Sequence, residues 1–426
     1  MARTRVIYQS EAVYCSQDVA YNVDQTAAGA IKQLSRVQSA NYSFSVSRQD
    51  VNQFGNLAAI DQIITESPTV SLDTSYYLAN LSNEHRLGFN ITASGATTFS
   101  SCIGNVIDST NNAYQKDYYM LTTKEGKDAN ENTTTGDFSY GGSIIGVGNG
   151  FLNSYSTEGA VGGLPTVSVG VEGQNMNFVN LPYSPTGVSD GTFPGMGLAM
   201  NAGKTAVTYI SGENPAVDAT DGSKVNVAAA LPAPLDDAST SAGDQISTLR
   251  PGDITLTLAK QTAASNTSTT LFKSTEADDM THPDYAGGSI TAAHIQSYTL
   301  SFDLGRSPIQ KLGNKFAFAR VVDFPINVSL SVEAVLSDLT TGSLADIINC
   351  DEKFDARVTL KDPACGAGVD KEAVVNYIAK GLKLESQSFS SDIGSNKTVS
   401  LNFTSQVGGP DQYEHGVFMS GWYAGQ

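Results

Sequence analysis

One stretch of this chain occurs twice. Val37–Leu81 aligns on Ile295–Leu339 after a shift of 258 residues, without a gap and with 13 identities over the 45 positions. The identities include Gln38 with Gln296, Ser39 with Ser297, Ser43 with Ser301, Phe44 with Phe302, Arg48 with Arg306, Gly55 with Gly313 and Asn56 with Asn314. A second block, Leu152–Gln174 against Leu384–Gln406, repeats with a shift of 232. Two ordered matches at nearly constant spacing are the mark of a duplicated unit, so whatever the first half folds into, the second half must also fold into.

The repeated stretches alternate with period two. Ala40, Tyr42, Phe44 and Val46 oppose Ser39, Asn41, Ser43, Ser45 and Ser47; Tyr298, Leu300, Phe302 and Leu304 oppose Ser297, Thr299, Ser301 and Asp303. The returning segments Val70–Leu78 and Val328–Leu336 alternate as well, and so do Thr166–Glu172 and Thr398–Thr404. Such a period places one face of a strand on a core and the other in water, which predicts long antiparallel hairpins wet on one side. The connections Arg48–Ser67 and Arg306–Pro325 are too long for tight turns and are expected to be extended loops. Forty glycines and only 16% charged residues in 426 support a mainly β chain.

Domain boundaries follow from the repeats. Residues 1–181 form a first unit with an N-terminal arm, 250–426 form a second, and the Gly/Pro/Ala-rich stretch 182–249 is a linker or surface decoration carrying one strand candidate at Thr205–Ile210. The fall in shift from 258 to 232 leaves about 26 extra residues in the first unit, assigned to the polar stretch Thr122–Gly136. Helical spacing of apolar residues predicts a helix over Lys371–Lys380 and makes Val23–Ser35 a helix or an irregular arm; a short helix is also expected at Leu344–Asn349. GVGNG at Gly146–Gly150 lacks the lysine of a phosphate loop and is expected to form turns.

No catalytic constellation is visible. His85, His282, His294 and His415 are isolated in sequence from one another and from Cys15, Cys102, Cys350 and Cys365, and the acidic string Glu276–His282 reads as a solvated loop. The expectation is a protein without enzymatic activity, metal or cofactor. Without an apolar leader or an 18-residue apolar run the chain is expected to stay in the cytosol, its cysteines free thiols. The net charge of −18 excludes a protein that wraps nucleic acid by neutralising phosphates. Wet faces made of Ser, Thr and Asn with a few carboxylates suit a channel wall that a polyanion passes without sticking.

The motifs SFSVSRQDVNQFGN and SFDLGRSPIQKLGN, each followed by a loop and then by TVSLDTSYYL or NVSLSVEAVL, resemble the tail tube (major tail) proteins of long-tailed bacteriophages. The resemblance covers about a third of the chain. It implies two tandem tube-type domains, each a β-sandwich or curved antiparallel sheet with a long hairpin and a short helix, contributing to a continuous inner β-barrel. Family rings hold six domains, so two per chain implies a homotrimer of pseudo-hexameric symmetry, stacked into a virion tube that conducts DNA. Its implied partners are copies of itself and other tail proteins such as the terminator, tip or baseplate, sheath and tape measure.

Carried over by position, the resemblance implies that Ser43, Ser45, Asp73, Ser75, Glu172, Ser301, Asp303, Ser331, Glu333 and Asn402 line the lumen. Arg48, Gly55, Asn56, Arg306, Gly313 and Asn314 fall at intersubunit or inter-ring positions, with the loops Gln49–Glu66 and Ser307–Phe324 making the stacking contacts. A tail-tip or baseplate hub with tube domains is the alternative within the same machine. A secreted adhesin or carbohydrate-binding β-protein is the alternative outside it, disfavoured by the missing leader and the single tryptophan, Trp422.

Overall fold

The structure, a computed structural model, describes residues 11–16, 31–66, 69–93, 96, 98–108, 114–123, 142–173, 175–181, 248–272, 277–279, 293–310, 312, 319–336, 353–362, 373–390, 397–409 and 411–423. The first half holds β1 (Glu11–Ser16), β2 (Ile31–Gln33), β3 (Val37–Ser45), β4 (Arg48–Val51), β5 (Asp61–Ile64) and β6 (Thr69–Tyr77). It continues with α1 (Ser82–Leu87), β7 (Ile91–Ala93), α2 (Gly104–Ile107), β8 (Lys116–Thr123), β9 (Gly142–Ala160), β10 (Thr166–Gly173) and β11 (Asn175–Leu181). The second half holds β12 (Ile254–Lys260), β13 (Ala277–Asp279), β14 (Ala293–Asp303), β15 (Arg306–Ile309) and β16 (Ala319–Val322). After these come β17 (Asn327–Leu336), β18 (Phe354–Lys361), β19 (Ala373–Ser390), β20 (Thr398–Gln406) and β21 (Gly416–Gly421).

Eight strands form one antiparallel sheet in the order β3-β6-β10-β9-β14-β17-β20-β19. The first four come from one repeat and the last four from the other. Their pairing is the same residue by residue: Ser39 faces Ser75 as Ser297 faces Glu333, and Val171 faces Leu152 as Phe403 faces Leu384. Even the irregularities recur, with a register shift at Val37/Ser39 and again at Ile295/Ser297. A bulge breaks cross-strand pairing at a fixed place, so its recurrence at shifted positions fixes the equivalence β3 to β14, β6 to β17, β10 to β20 and β9 to β19. Where the repeats meet, β9 pairs with β14 over seven residues, from Ser154 opposite Asp303 to Ala160 opposite Ser297.

β9 and β19 are long enough to serve two sheets. The N-terminal half of β9 pairs with β8 and β11, and β8 continues to β1 and β2. The N-terminal half of β19 pairs with β18 and β21, and β18 continues to β12 and β13. The changeover in β19 falls at Gly381, whose φ of +69° is open to glycine and strained for other residues. Between these layers lies a shared core containing Leu72, Val169, Tyr155, Phe302, Leu330, Tyr377 and Phe403. The short parallel strand β7, from the first half, adds to β21 of the second at Ile91 opposite Met419, a further tie between the halves.

Several expectations change. Ala373–Lys380 is strand, not helix, because Val374, Val375, Tyr377 and Ile378 are buried on both faces, and a strand covered on both sides shows a near-continuous apolar run that mimics a helical stripe. Ile31–Gln33, the described end of the helix or irregular arm expected at Val23–Ser35, is also strand, its residues paired to β1. Gly146–Gly150 lies inside β9, not in turns; a Cβ at Gly150 would sit 2.7 Å from the Tyr118 ring, so glycine here admits an aromatic neighbour.

The long connections are ordered as two-stranded hairpins, β4–β5 and β15–β16, because each pairs its own flanks, Arg48 to Ile64 and Arg306 to Val322. Most of the first repeat's extra length lies in 78–115, which carries α1, β7 and α2, against 337–353 in the second. Leu249, at the end of the expected linker, is buried and donates its amide to Leu78 at 2.9 Å. The expected strand at Thr205–Ile210, the helix at Leu344–Asn349, and Gly313, Asn314, Cys350, Cys365 and His282 lie outside the described residues. Within the chain the eight-stranded sheet is open: among the described residues β3 and β19 are its outer strands, so no barrel closes.

Candidate functional site

The register sorts every residue of the eight-stranded sheet to one face or the other. One row runs Ser39, Ser75, Ser168, Ser156, Ser301, Ser329 and Thr404. Its neighbour runs Thr166, Glu158, Thr299, Ser331, Asn402 and Ser386. The opposite face carries Val37, Tyr76, Val167, Thr157, Leu300, Leu330, Phe403 and Leu384, which meet the core. The alternation seen in each strand therefore becomes a single polar wall crossing the seam between the repeats without interruption.

All ten residues expected to line a lumen stand on this wall. Ser43 pairs with Ser71 and Asp73 with Asn41 and Gly170, Ser75 lies in the first row, and Ser45 faces Thr69. Ser301 and Asp303 face Ser156 and Ser154, while Ser331 and Glu333 face Asn402 and Ser400. The hydroxyls and amides bond to one another across strands: Ser43 Oγ lies 2.7 Å from Ser71 Oγ, Ser331 donates to Asn402 Oδ1 at 2.8 Å, and Asn402 donates to Ser386 at 3.0 Å. Such ladders tie neutral hydroxyls and amides to one another across the strands.

The ionised groups on the wall are carboxylates in the main: Asp73, Glu158, Asp303 and Glu333 are exposed. Lys383, opposite Thr404, is the cation on this face among the described strand residues. Glu172, opposite Ser71 on the same face, has its carboxylate held by Arg320, which reaches it from β16. Sequence inspection missed Glu158 although it lies within the regular alternation of β9, where Thr166 donates to it at 2.9 Å.

The two arginines predicted for subunit contacts part company. Arg48 is exposed, whereas Arg306 is 8% exposed and held inside the chain. Its guanidinium donates to the Leu152 carbonyl at 3.3 Å and the Val106 carbonyl at 2.9 Å, and lies 4.7 Å from the Tyr114 ring centroid. Burial lowers its pKa to about 10, leaving it charged at neutral pH. Arg306, expected at an intersubunit or inter-ring position, is instead an internal clamp between the repeats. Gly55, at φ +93°, and Asn56 sit exposed near the tip of the β4–β5 hairpin. Around that tip Phe54, Leu57, Ile60 and Ile63 are exposed, as are Ile309, Leu312, Val321 and Phe324 on the second hairpin.

Beneath the wall the repeats are pinned by one buried carboxyl. Tyr76 and Tyr155 donate to Glu84 Oε1 at 2.8 and 3.2 Å, and the Tyr155 and Tyr377 hydroxyls meet at 2.9 Å. Burial pushes the Glu84 carboxyl up to about 7, against the lowering effect of the hydrogen bonds it receives. Nothing in the sequence singles out this glutamate. Among the described residues no three His, Cys, Asp or Glu side chains converge as metal ligands, and no helix is long and apolar enough to cross a membrane. Cys15 and Cys102 are buried free thiols.

The fold and wall define a mainly β chain of two like-paired sheets fused edge to edge. No family model matches the chain, and no curated protein matches it. Among solved structures, a similar chain belongs to the cryo-EM structure of the anti-feeding prophage (AFP) baseplate, 6-fold symmetrised. It is 12% identical with a TM-score of 0.26, covering 39% of this chain and 92% of that chain. A likeness of that extent carries neither fold nor function across.

Proposed function

We propose that this chain is a structural virion protein, the tail tube subunit of a long-tailed bacteriophage. Three chains close a ring of pseudo-sixfold symmetry, rings stack into a tube, and DNA passes from capsid to host along the polar wall. The observation that carries this reading is the wall itself. An edge-to-edge surface of hydroxyls, amides and carboxylates with little positive charge repels phosphate and offers it few charge-assisted hydrogen bonds, so DNA slides and does not bind. The exposed apolar tips of the two hairpins support ring-to-ring stacking, since exposed apolar clusters on a soluble chain mark contact surfaces. The role is architectural, without catalysis or cofactor.

Electron microscopy of the purified full chain tests the proposal. Stacked rings of threefold symmetry with the eight-stranded sheet facing inward are expected. Isolated rings that never stack would support a baseplate or tail-tip hub instead. Hairpins β4–β5 and β15–β16 facing outward, clear of all ring contacts, would overturn the tube.

A further inference from the structure

We propose that the second repeat carries a binding site for a small oxyanion of the phosphate class, in a cavity of about 390 Å³ whose cationic groups are Lys353, Lys383 and His415. The cavity lies where β17, β18 and β21 begin, β20 ends and β19 passes from one sheet to the other. The site lies outside the proposed tube function and does not depend on it.

Strand pairing places each group. Lys353 immediately precedes β18, and Lys383 follows the changeover of β19 at Gly381. Thr404 and Gln406, at the end of β20, stand opposite Lys383 and Asn327. His415 immediately precedes β21, and its ring packs so closely on Gly381 that a Cβ there would lie 2.4 Å from Nδ1.

The charge balance of the cavity is the reverse of the chain's. Aspartates and glutamates number 43 against 25 lysines and arginines, yet none of the described residues lining this cavity is a carboxylate. Lys353 Nζ lies 3.2 Å from His415 Nε2, so the charged lysine donates and the neutral ring accepts. Burial and the Lys353 charge lower the His415 pKa, against the opposing pull of Glu414 and of Asp355, which Lys380 engages at 3.0 Å. Cations gathered on one concave surface favour an anion between them, and lysine ammoniums give oxyanions charge-assisted hydrogen bonds. Thr404, Gln406 and Asn327 add neutral polar groups around the same space.

The first repeat shows that the fold does not require these cations. Lys116 pairs with Gly150 as Phe354 pairs with Leu382, which makes Gln115 the counterpart of Lys353. By the shift of 232, Lys383 and Thr404 correspond to Phe151 and Glu172. Phe151 is buried with the Arg306 guanidinium 5.1 Å from its ring centroid, and Glu172 is held by Arg320. The equivalent place in the first repeat is thus filled by the chain's own side chains, whereas in the second it is hollow and basic.

Isothermal titration of the full chain with inorganic phosphate, at constant ionic strength, tests the site. One saturable ion per chain is expected, and Lys353→Gln and Lys383→Gln should each weaken it by about ten-fold or more. The unfolding midpoint of each variant in phosphate-free buffer separates a lost site from a lost fold. A second readout needs no lysine substitution: in NMR spectra of histidine-labelled protein, four histidines are few enough to resolve, and the His415 signal is assigned by its loss in His415→Gln. That signal should move as phosphate is added and its titration should shift to higher pH, because a bound anion stabilises the imidazolium. Sulfate, whose charge is constant in this range, should bind more tightly at about pH 5.5 than at about pH 7.5. Uptake that does not saturate, binding unchanged in both folded lysine variants, or a His415 signal indifferent to phosphate would overturn the site. Displacement of the phosphate by duplex DNA would assign the cavity to backbone phosphates and overturn the small ion.

Discussion

Tyr155 stacks on Phe302 with ring centroids 5.2 Å apart and planes 20° from parallel. One ring stands on β9 and the other on β14, the strands at which the two repeats adjoin in the sheet, and the two residues are directly paired there. Phe89 closes against both, edge-on, at 5.0 and 6.1 Å. The repeats are thus joined through a core, not merely tethered by the residues between them.

Phe302→Ala should therefore cost more than an ordinary surface change. Removing a fully buried phenyl leaves a cavity across the junction, and the expected loss is about 3–5 kcal/mol in denaturant unfolding. A loss below about 1 kcal/mol would mean that the halves do not depend on this contact.

Lys380 and Asp355 form a buried ion pair at 3.0 Å, with side chains 0% and 2% exposed. Lys380 also donates to the Leu271 carbonyl at 2.7 Å. Lys380→Met strands the Asp355 carboxylate in the core and should destabilise by about 3–5 kcal/mol, while adding Asp355→Leu should recover most of it. Comparison of the single and double variants by chemical denaturation measures the difference.

Glu84 predicts a pH dependence of definite sign. Its carboxyl rises from 4.5 to about 7 on folding, so between those values the folded chain holds a proton that the unfolded chain releases. Stability from this group is present below about pH 4.5 and is lost as pH rises through about 7, by roughly 3 kcal/mol. Glu84→Gln should flatten that part of the profile, narrowing the gap between unfolding free energies at pH 5 and pH 8. A variant with the wild-type slope would locate the dependence elsewhere.

The wall charges can be reversed without touching the core. Asp73→Lys, Asp303→Lys and Glu333→Lys together alter exposed positions and should shift stability little, within about 0.5 kcal/mol at each site. Assembled wild-type protein should retain no duplex DNA in filter binding at low salt. The triple variant should retain it, and should release it as salt rises, because binding through phosphates is driven by counterion release.

The wall was legible in the sequence and the joint was not. Period-two alternation in Ala40–Val46 and Tyr298–Leu304 sorted residues to faces correctly, because each strand is wet on one side. The same rule failed for Ala373–Lys380, where both sides are covered and no alternation survives. It passed over Gly146–Gly150, where glycine marks a close ring and not a turn. Which strands meet at their edges is a question of backbone hydrogen bonding between distant segments, and side-chain pattern in β9 and β14 carries no record of it. Arg306 shows the cost: the duplicated arginine was visible, but burial of one twin and exposure of the other depends on which edge has a neighbour.

The two hairpins have diverged. Phe54 and Leu57 stand fully exposed at the first tip, with Leu312 at the second, and Glu172 takes an arginine partner from the second hairpin where the aligned position of the first carries Gln62. The proposed ring of three such chains would carry an azimuthal phase, with unlike tips alternating around it. A following ring would seat equivalently at three orientations and not six, so a stack would keep count of the twist from one end to the other.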